Sequence, residues 1–257
     1  MRNSETKLEV LFYDASYKHQ ERLKQGYLLS DFSGLNQLLG KGFEAGLFHL
    51  VYGTPHITNS LLLSLAVAAH LPLPSGIASS VVFIDNDNIF NPYTLIRLAL
   101  AVKLNPTTVL SRIFVARAFI WNHLGEIVDN LKALLETQKA RVVLISGLTT
   151  LFEGEFERKR HQMLLIIANK LRTLAIDENI VILASGRLAQ GSAYKPAGGK
   201  IISHAPQVLI RALAQGPRIT FDLLKHPSRP ASQVVHWVSQ PKRVPNVPPL
   251  EQFLEGA

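Results

Sequence analysis

The chain has no cysteine among its 257 residues. That absence excludes disulfides, thiolate zinc sites and a cysteine nucleophile, and no other metal-ligating cluster is assigned. Long apolar runs are lacking as well. The longest apolar-rich stretch, residues 61–69, is too short to cross a bilayer and ends in His70 and Pro72. The first ten residues are polar and charged, without the apolar segment of a signal peptide. An intracellular protein of the cytoplasm or nucleoid, with no membrane partner, is therefore expected. Acidic residues are scarce: 19 Asp and Glu stand against 27 Lys and Arg, a net charge of +8. Such an excess suits a polyanionic partner such as nucleic acid, and fits equally an abundant or thermostable basic protein. A hydrophobic fraction of 47% with 18% charged residues excludes a disordered chain. The length suits one large domain with a small appendage.

Helix and strand patterns alternate along the middle of the chain. Short apolar runs at residues 47–52, 81–84, 113–115, 141–145 and 180–184 read as buried strands. Between them, residues 60–70, 93–104, 124–138 and 163–177 read as helices, the second stopping at Asn105-Pro106. This order predicts an α/β fold with a mostly parallel twisted sheet and helices on both faces. From about Lys200 the pattern changes to three short strand-like runs separated by Gly-Pro and Pro-Ser-Arg-Pro turns, an antiparallel extension of the sheet. Residues 1–30 read as a separate N-terminal arm with a short polar helix, residues 31–240 as the core domain, and residues 241–257 as a Pro-rich tail.

Parallel α/β sheets bind ligands at the carboxyl ends of their strands. The first such strand leads into Gly53-Thr54-Pro55-His56-Ile57-Thr58-Asn59-Ser60. A phosphate loop here would read G-x-x-x-x-G-K-[ST], with backbone amides around the phosphates, a Lys on the β/γ oxygens and a hydroxyl on magnesium. Gly53 and Ser60 fit. Thr58 stands where the second Gly belongs, and its β-branch resists the backbone conformation that loop commonly needs. Asn59 stands where the Lys belongs and brings no positive charge. Asp85 and Asp87 follow the next strand, either as water-orienting carboxylates or as caps of the strand-to-helix turn.

From about Phe12 to Val238 these pieces resemble the core of the RecA/RadA strand-exchange recombinases, archaeal and eukaryotic branch with its paralogs. Phe12-Tyr13-Asp14-Ala15 is similar to the F-x-x-A polymerisation motif. Ser33-Gly34-Leu35 through Gly46 resembles the segment leading into the phosphate-loop strand, and Val81–Pro92 the strand and turn that carry the catalytic Glu. Val115-Ala116-Arg117-Ala118-Phe119 is similar to a signature strand. Pro196–Ala205 resembles the segment closing the second DNA loop, and Lys225–Pro230 the cap over a neighbour's ATP.

The departures from that pattern are specific. Where the family has the magnesium Asp, the catalytic Glu, the switch Gln and the adenine-stacking Arg, this chain has Ser146, Asp87, Gly186 and Asn91. Both DNA loops look short, and the helix-hairpin-helix domain of full-length recombinases is absent. The resemblance thus implies a paralog that keeps fold and assembly parts and lacks ATPase parts, Asp87 being a vestige. Losing several electrostatic contributors to phosphoryl transfer leaves little catalysis. ATP with magnesium is implied only as a weak ligand of Gly53, Thr54, Pro55, Thr58, Asn59 and Ser60, or as one shared with a partner subunit.

The same resemblance assigns partner binding to Phe12 and Ala15, which would add to a recombinase's or sister paralog's sheet edge or else fold back on their own core. Single-stranded DNA is assigned to Arg158, Lys159, Arg160, Arg187, Tyr194, Lys195 and Lys200, the first three being otherwise a solvated helix start. Lys225 would reach a neighbour's γ-phosphate in trans, or lie exposed to solvent. His204 would sense that phosphate, or pack as an ordinary histidine. A hetero- or homo-oligomer follows from the arm. The expected function is modulation of recombinational repair without catalysis. The alternatives are a divergent DNA-dependent ATPase using Asp87 and a structural subunit of another RecA-fold machine.

Overall fold

The computed structural model describes residues 26–154 and 158–238. The described chain opens with a ribbon in which β1 (Tyr27–Leu28) pairs antiparallel with β2 (Phe43–Glu44), and α1 (Ser33–Leu38) lies between them. Leu28 is fully buried, so the core begins at this ribbon, slightly ahead of residue 31. The main elements follow in sequence: β3 (Phe48–Gly53), α2 (Pro55–Ala68), β4 (Ser80–Asp85), α3 (Pro92–Ala101), α4 (Pro106–Leu110), β5 (Ile113–Ala116), α5 (Trp121–Gln138) and β6 (Ala140–Ser146). A 3-10 turn at Thr150–Phe152 precedes α6 (Arg158–Asp177), β7 (Val181–Gly186) and α7 (Gly199–His204). The chain then forms β8 (Val208–Gln215), β9 (Arg218–Lys225) and β10 (Ser232–Trp237).

Eight strands form one sheet in the order β10-β9-β8-β3-β7-β6-β4-β5. The six strands from β8 to β5 run parallel, while β9 and β10 continue antiparallel beyond β8. The expected α/β architecture with its antiparallel C-terminal extension is therefore present. Residues alternate across the sheet as a strand requires. Val51, Phe83, Leu144 and Leu183 pack with α2 on one face. Phe48, Leu50, Tyr52, Val82 and Ile84 pack with Leu124 and Val128 of α5 and Ile167 of α6 on the other. Each fully buried side chain of this size stabilises the fold by about 1.5–3 kcal/mol.

Asn-Pro is a start signal in this chain. Asn91 Oδ1 accepts from Thr94 N–H at 3.2 Å and Asn105 Oδ1 from Thr108 N–H at 3.3 Å, each ahead of a Pro at the first helical position. The side chain caps a free donor, and the proline lacks the N–H that would be unpaired there. The helix expected over 93–104 ends earlier, at Ala101, with Lys103 at φ +61° beyond it, and Asn105-Pro106 opens α4. No helix among the described residues is long and apolar enough to cross a membrane.

His49, on β3, is fully buried with its ring edge-on to Phe43 and Nδ1 donating to the Ile182 carbonyl oxygen at 3.1 Å. Burial lowers its pKa from 6.5 to about 3. Below the ordinary histidine value the unfolded chain takes up a proton that the folded chain refuses. The fold should therefore lose stability as pH falls from about 6.5 toward about 3, by roughly 2 kcal/mol from this group at pH 5. His70, also lowered by burial, acts in the same direction. Urea midpoints between pH 8 and 5 check this: the wild-type midpoint should drop and His49→Leu should flatten the drop. A wild-type midpoint independent of pH would contradict it.

Candidate functional site

At the carboxyl edge of the sheet, β3 passes into α2 without a loop. Gly53 closes the strand at φ +138°, and a Cβ there would lie 2.0 Å from the Ala212 carbonyl oxygen. Thr54 N–H donates to that same oxygen at 2.8 Å, and Thr54 Oγ1 accepts from Ala214 N–H at 3.0 Å. β8 thus staples the junction from its side. Pro55 is the first helical residue, so the helix expected to start at residue 60 starts a turn earlier.

This geometry leaves little of a phosphate cradle. Pro55 has no N–H, and the N–H groups of Ile57 and Thr58 donate to Thr54 O at 3.0 and 3.2 Å. Thr58 is 2% exposed, and its hydroxyl donates to the Pro55 carbonyl at 3.1 Å. Asn59 and Ser60 continue the helix. A magnesium nucleoside triphosphate is the ligand such a fold implies at this edge, and the residues here do not fit it. Of the amides that would surround its phosphates, Pro55 has none and those of Thr54, Ile57 and Thr58 are bonded within the chain, and no Lys stands on the first turns of α2.

The next strand end is organised around Asp85, which is fully buried. Its Oδ1 accepts from Ile89 N–H and from Ser146 Oγ, both at 2.9 Å. Its Oδ2 accepts from Phe90 N–H and from Arg117 Nη2, both at 3.1 Å. Asp85 is therefore the cap of its turn, and Arg117 neutralises it. Ser146 ends β6 by bridging: it donates to Asp85 and accepts from Asp87 N–H at 3.0 Å. Asp87 Oδ1 accepts from Thr150 Oγ1 at 2.7 Å and from Arg187 Nη2 at 3.3 Å. Gly147 lets that carboxylate approach, since a Cβ there would lie 2.3 Å from Asp87 Oδ1. The other arm of the Arg187 guanidinium lies 3.8 Å from Glu153 Oε2.

The segment matching the second DNA loop is a short, ordered hairpin. Ala197 N–H donates to Arg187 O at 2.9 Å and Ala189 N–H to Lys195 O at 2.8 Å. The buried Tyr52 donates its hydroxyl to the Tyr194 carbonyl at 2.6 Å, and burial raises its pKa. Arg211 stacks under the Tyr194 ring at 4.7 Å, donates to the Ala193 carbonyl at 3.1 Å, and pairs with the buried Asp222 at 2.8 Å. The tip of the hairpin is thereby held to the core, while the Tyr194 ring, Lys195 and Lys200 stay exposed. Arg158 and Lys159 are exposed on the first turn of α6, and Arg160 donates to the Glu153 carbonyl at 3.0 Å.

The segment matching the ATP cap folds onto its own chain. Lys225 Nζ donates to the His204 and Pro206 carbonyls, each at 2.7 Å, which clamps the end of α7. Partial burial pushes this ammonium below the usual lysine range, and Arg172 pushes it the same way. Arg229 lies against Gly40, where a Cβ would sit 1.7 Å from the guanidinium. The His204 side chain is exposed. Phe12 and Ala15 lie outside the described residues.

Sequence reasoning does not single out Arg211, Thr150 or Glu153 as functional, and Arg117 enters it only within a matching segment. A lone Arg inside an apolar strand run, as in Leu209-Ile210-Arg211-Ala212, is a usable signal because it requires a buried carboxylate partner. Thr150 and Glu153 carry no comparable mark.

Parallel strands ending in this arrangement, with an antiparallel C-terminal extension, define a RecA-like core. A family model described as Rad51 matches residues 27–241. The chain belongs to the Rad51 family, within the RecA/Rad51 recombinase superfamily, and is a RecA-like protein of DNA recombination and repair.

Writing the G-x-x-x-x-G-K-[ST] letters into this junction should not create a nucleotide site. Thr58→Gly with Asn59→Lys is expected to show no saturable Mg-ATP binding by calorimetry, because helix and β8 staple remain. Micromolar binding would show that the junction opens.

Proposed function

We propose that this chain is a non-catalytic Rad51-family paralog that modulates recombinational DNA repair by binding a recombinase or sister paralog and single-stranded DNA. Its main support is the β3–α2 junction. There the chain passes from β3 straight into a helix, and the Thr54, Ile57 and Thr58 amides bond within the chain. A protein without that cradle acts through its surfaces.

Two surfaces support such a role. β5 is an outer strand of the sheet, and Val115 on it is 43% exposed. An outer strand offers unpaired backbone groups to an added strand. In this reading the Phe12–Ala15 segment docks on such an edge of a partner, with Phe12 as the anchor. Exposed Arg158, Lys159, Lys195 and Lys200 provide phosphate contacts, and the exposed Tyr194 ring provides a stacking surface. ATP enters only through a catalytic partner.

Native co-purification of tagged wild type beside Phe12→Glu tests the proposal. A catalytic recombinase or sister paralog should come down with the wild type and be lost, roughly tenfold or more, with the variant, as expected for a buried aromatic anchor worth about 2 kcal/mol. Recovery of no recombination protein with either form would refute it.

A further inference from the structure

We propose that Asp87 holds Arg187 in an autoinhibitory ion pair, which a polynucleotide phosphate must displace before the second loop engages single-stranded DNA. The proposal rests on the DNA-binding role proposed for this surface and concerns its regulation. Arg187 is the first residue after β7 and the base of the hairpin that ends at Ala197. Its guanidinium links three parts of the site. Nη2 lies 3.3 Å from Asp87 Oδ1, and Nη1 lies 3.8 Å from Glu153 Oε2 in the segment before α6.

The two sides of this contact differ in mobility. Asp87 is anchored. Its side chain is 11% exposed, packs on Gly147, and accepts the Thr150 hydroxyl at 2.7 Å, while its N–H donates to Ser146 Oγ. Arg187 is 46% exposed, and among the described residues Asp87 accepts the one hydrogen bond that its guanidinium donates. An ion pair half open to water is weak. A guanidinium binds a phosphate with two parallel charge-assisted bonds, whereas here it meets each carboxylate through one nitrogen. A DNA phosphate therefore competes with Asp87 for the same cation. Release of Arg187 also ends its contact with Glu153.

The test is fluorescence anisotropy of the full chain with a labelled oligothymidylate, titrated across salt, for wild type, Asp87→Asn, Arg187→Gln and the double variant. Asp87→Asn keeps an oxygen for the Thr150 hydroxyl and removes the competing charge. It should bind more tightly than wild type at every salt concentration with a similar slope of log K against log salt, because the same phosphate contact forms in both, whereas Arg187→Gln should flatten that slope by about 0.7, the increment for one single-strand phosphate contact. The double variant should lose that gain, which separates release of Arg187 from a general change in charge. Glu153→Gln, at an exposed position, should shift affinity the same way by a smaller amount and guards against misfolding of Asp87→Asn.

If wild type binds and neither Asp87→Asn nor Glu153→Gln changes affinity, the autoinhibitory pair is refuted and the DNA-binding role stands. A gain that persists in the double variant refutes it as well. If no form binds the oligonucleotide, the DNA-binding role fails and takes this inference with it.

Discussion

The carbonyl of Ala212 sets the character of the site. β3 sits between β7 and β8, and at its end that carbonyl accepts the Thr54 N–H while leaving no room for a Cβ on Gly53. The chain is held against β8 up to the residue before Pro55 and must turn into the helix at once. With this constraint go the helical state of Thr58 and Asn59 and the internal bonding of the Thr54, Ile57 and Thr58 amides. In a phosphate loop such amides face a ligand; here these three bond within the chain.

Internal bonding of polar side chains recurs around the sheet's carboxyl edge. Ser146 bridges Asp85 and the Asp87 backbone. Asn91 caps α3. Lys225 clamps the end of α7. Each polar side chain satisfies a buried or terminal backbone group that would otherwise be unpaired. The positive charge of the edge is also internally committed in part, with Arg117 on Asp85 and Arg187 on Asp87. Lys195 and Lys200 remain exposed.

Much of this fold is legible in the sequence because short β-branched runs such as Val81-Val82-Phe83-Ile84 and Val142–Ile145 alternate with helical patterns and so read as buried strands. The C-terminal meander is legible from its Gly-Pro and Pro-Ser-Arg-Pro turns. Helix starts are less so, since Pro reads as a breaker until its N-cap is considered. Pro55 and Pro106 both open helices that the pattern places later or omits. The missing phosphate-loop letters at Thr58 and Asn59 are visible in sequence, but the closure of the loop is not. It depends on β8, more than 150 residues away, through Ala212 and Ala214. The Arg187–Asp87–Glu153 cluster is hidden for the same reason, its members meeting only once β4, β6 and β7 align.

Phosphate release from Mg-ATP by the isolated chain, with and without single-stranded DNA, is the most direct measurement of whether such a site can turn over. The expected result is a rate equal to that of buffer in both cases. Turnover above buffer that is abolished by Asp87→Asn would contradict a non-catalytic role and make Asp87 a working base on an altered nucleotide site.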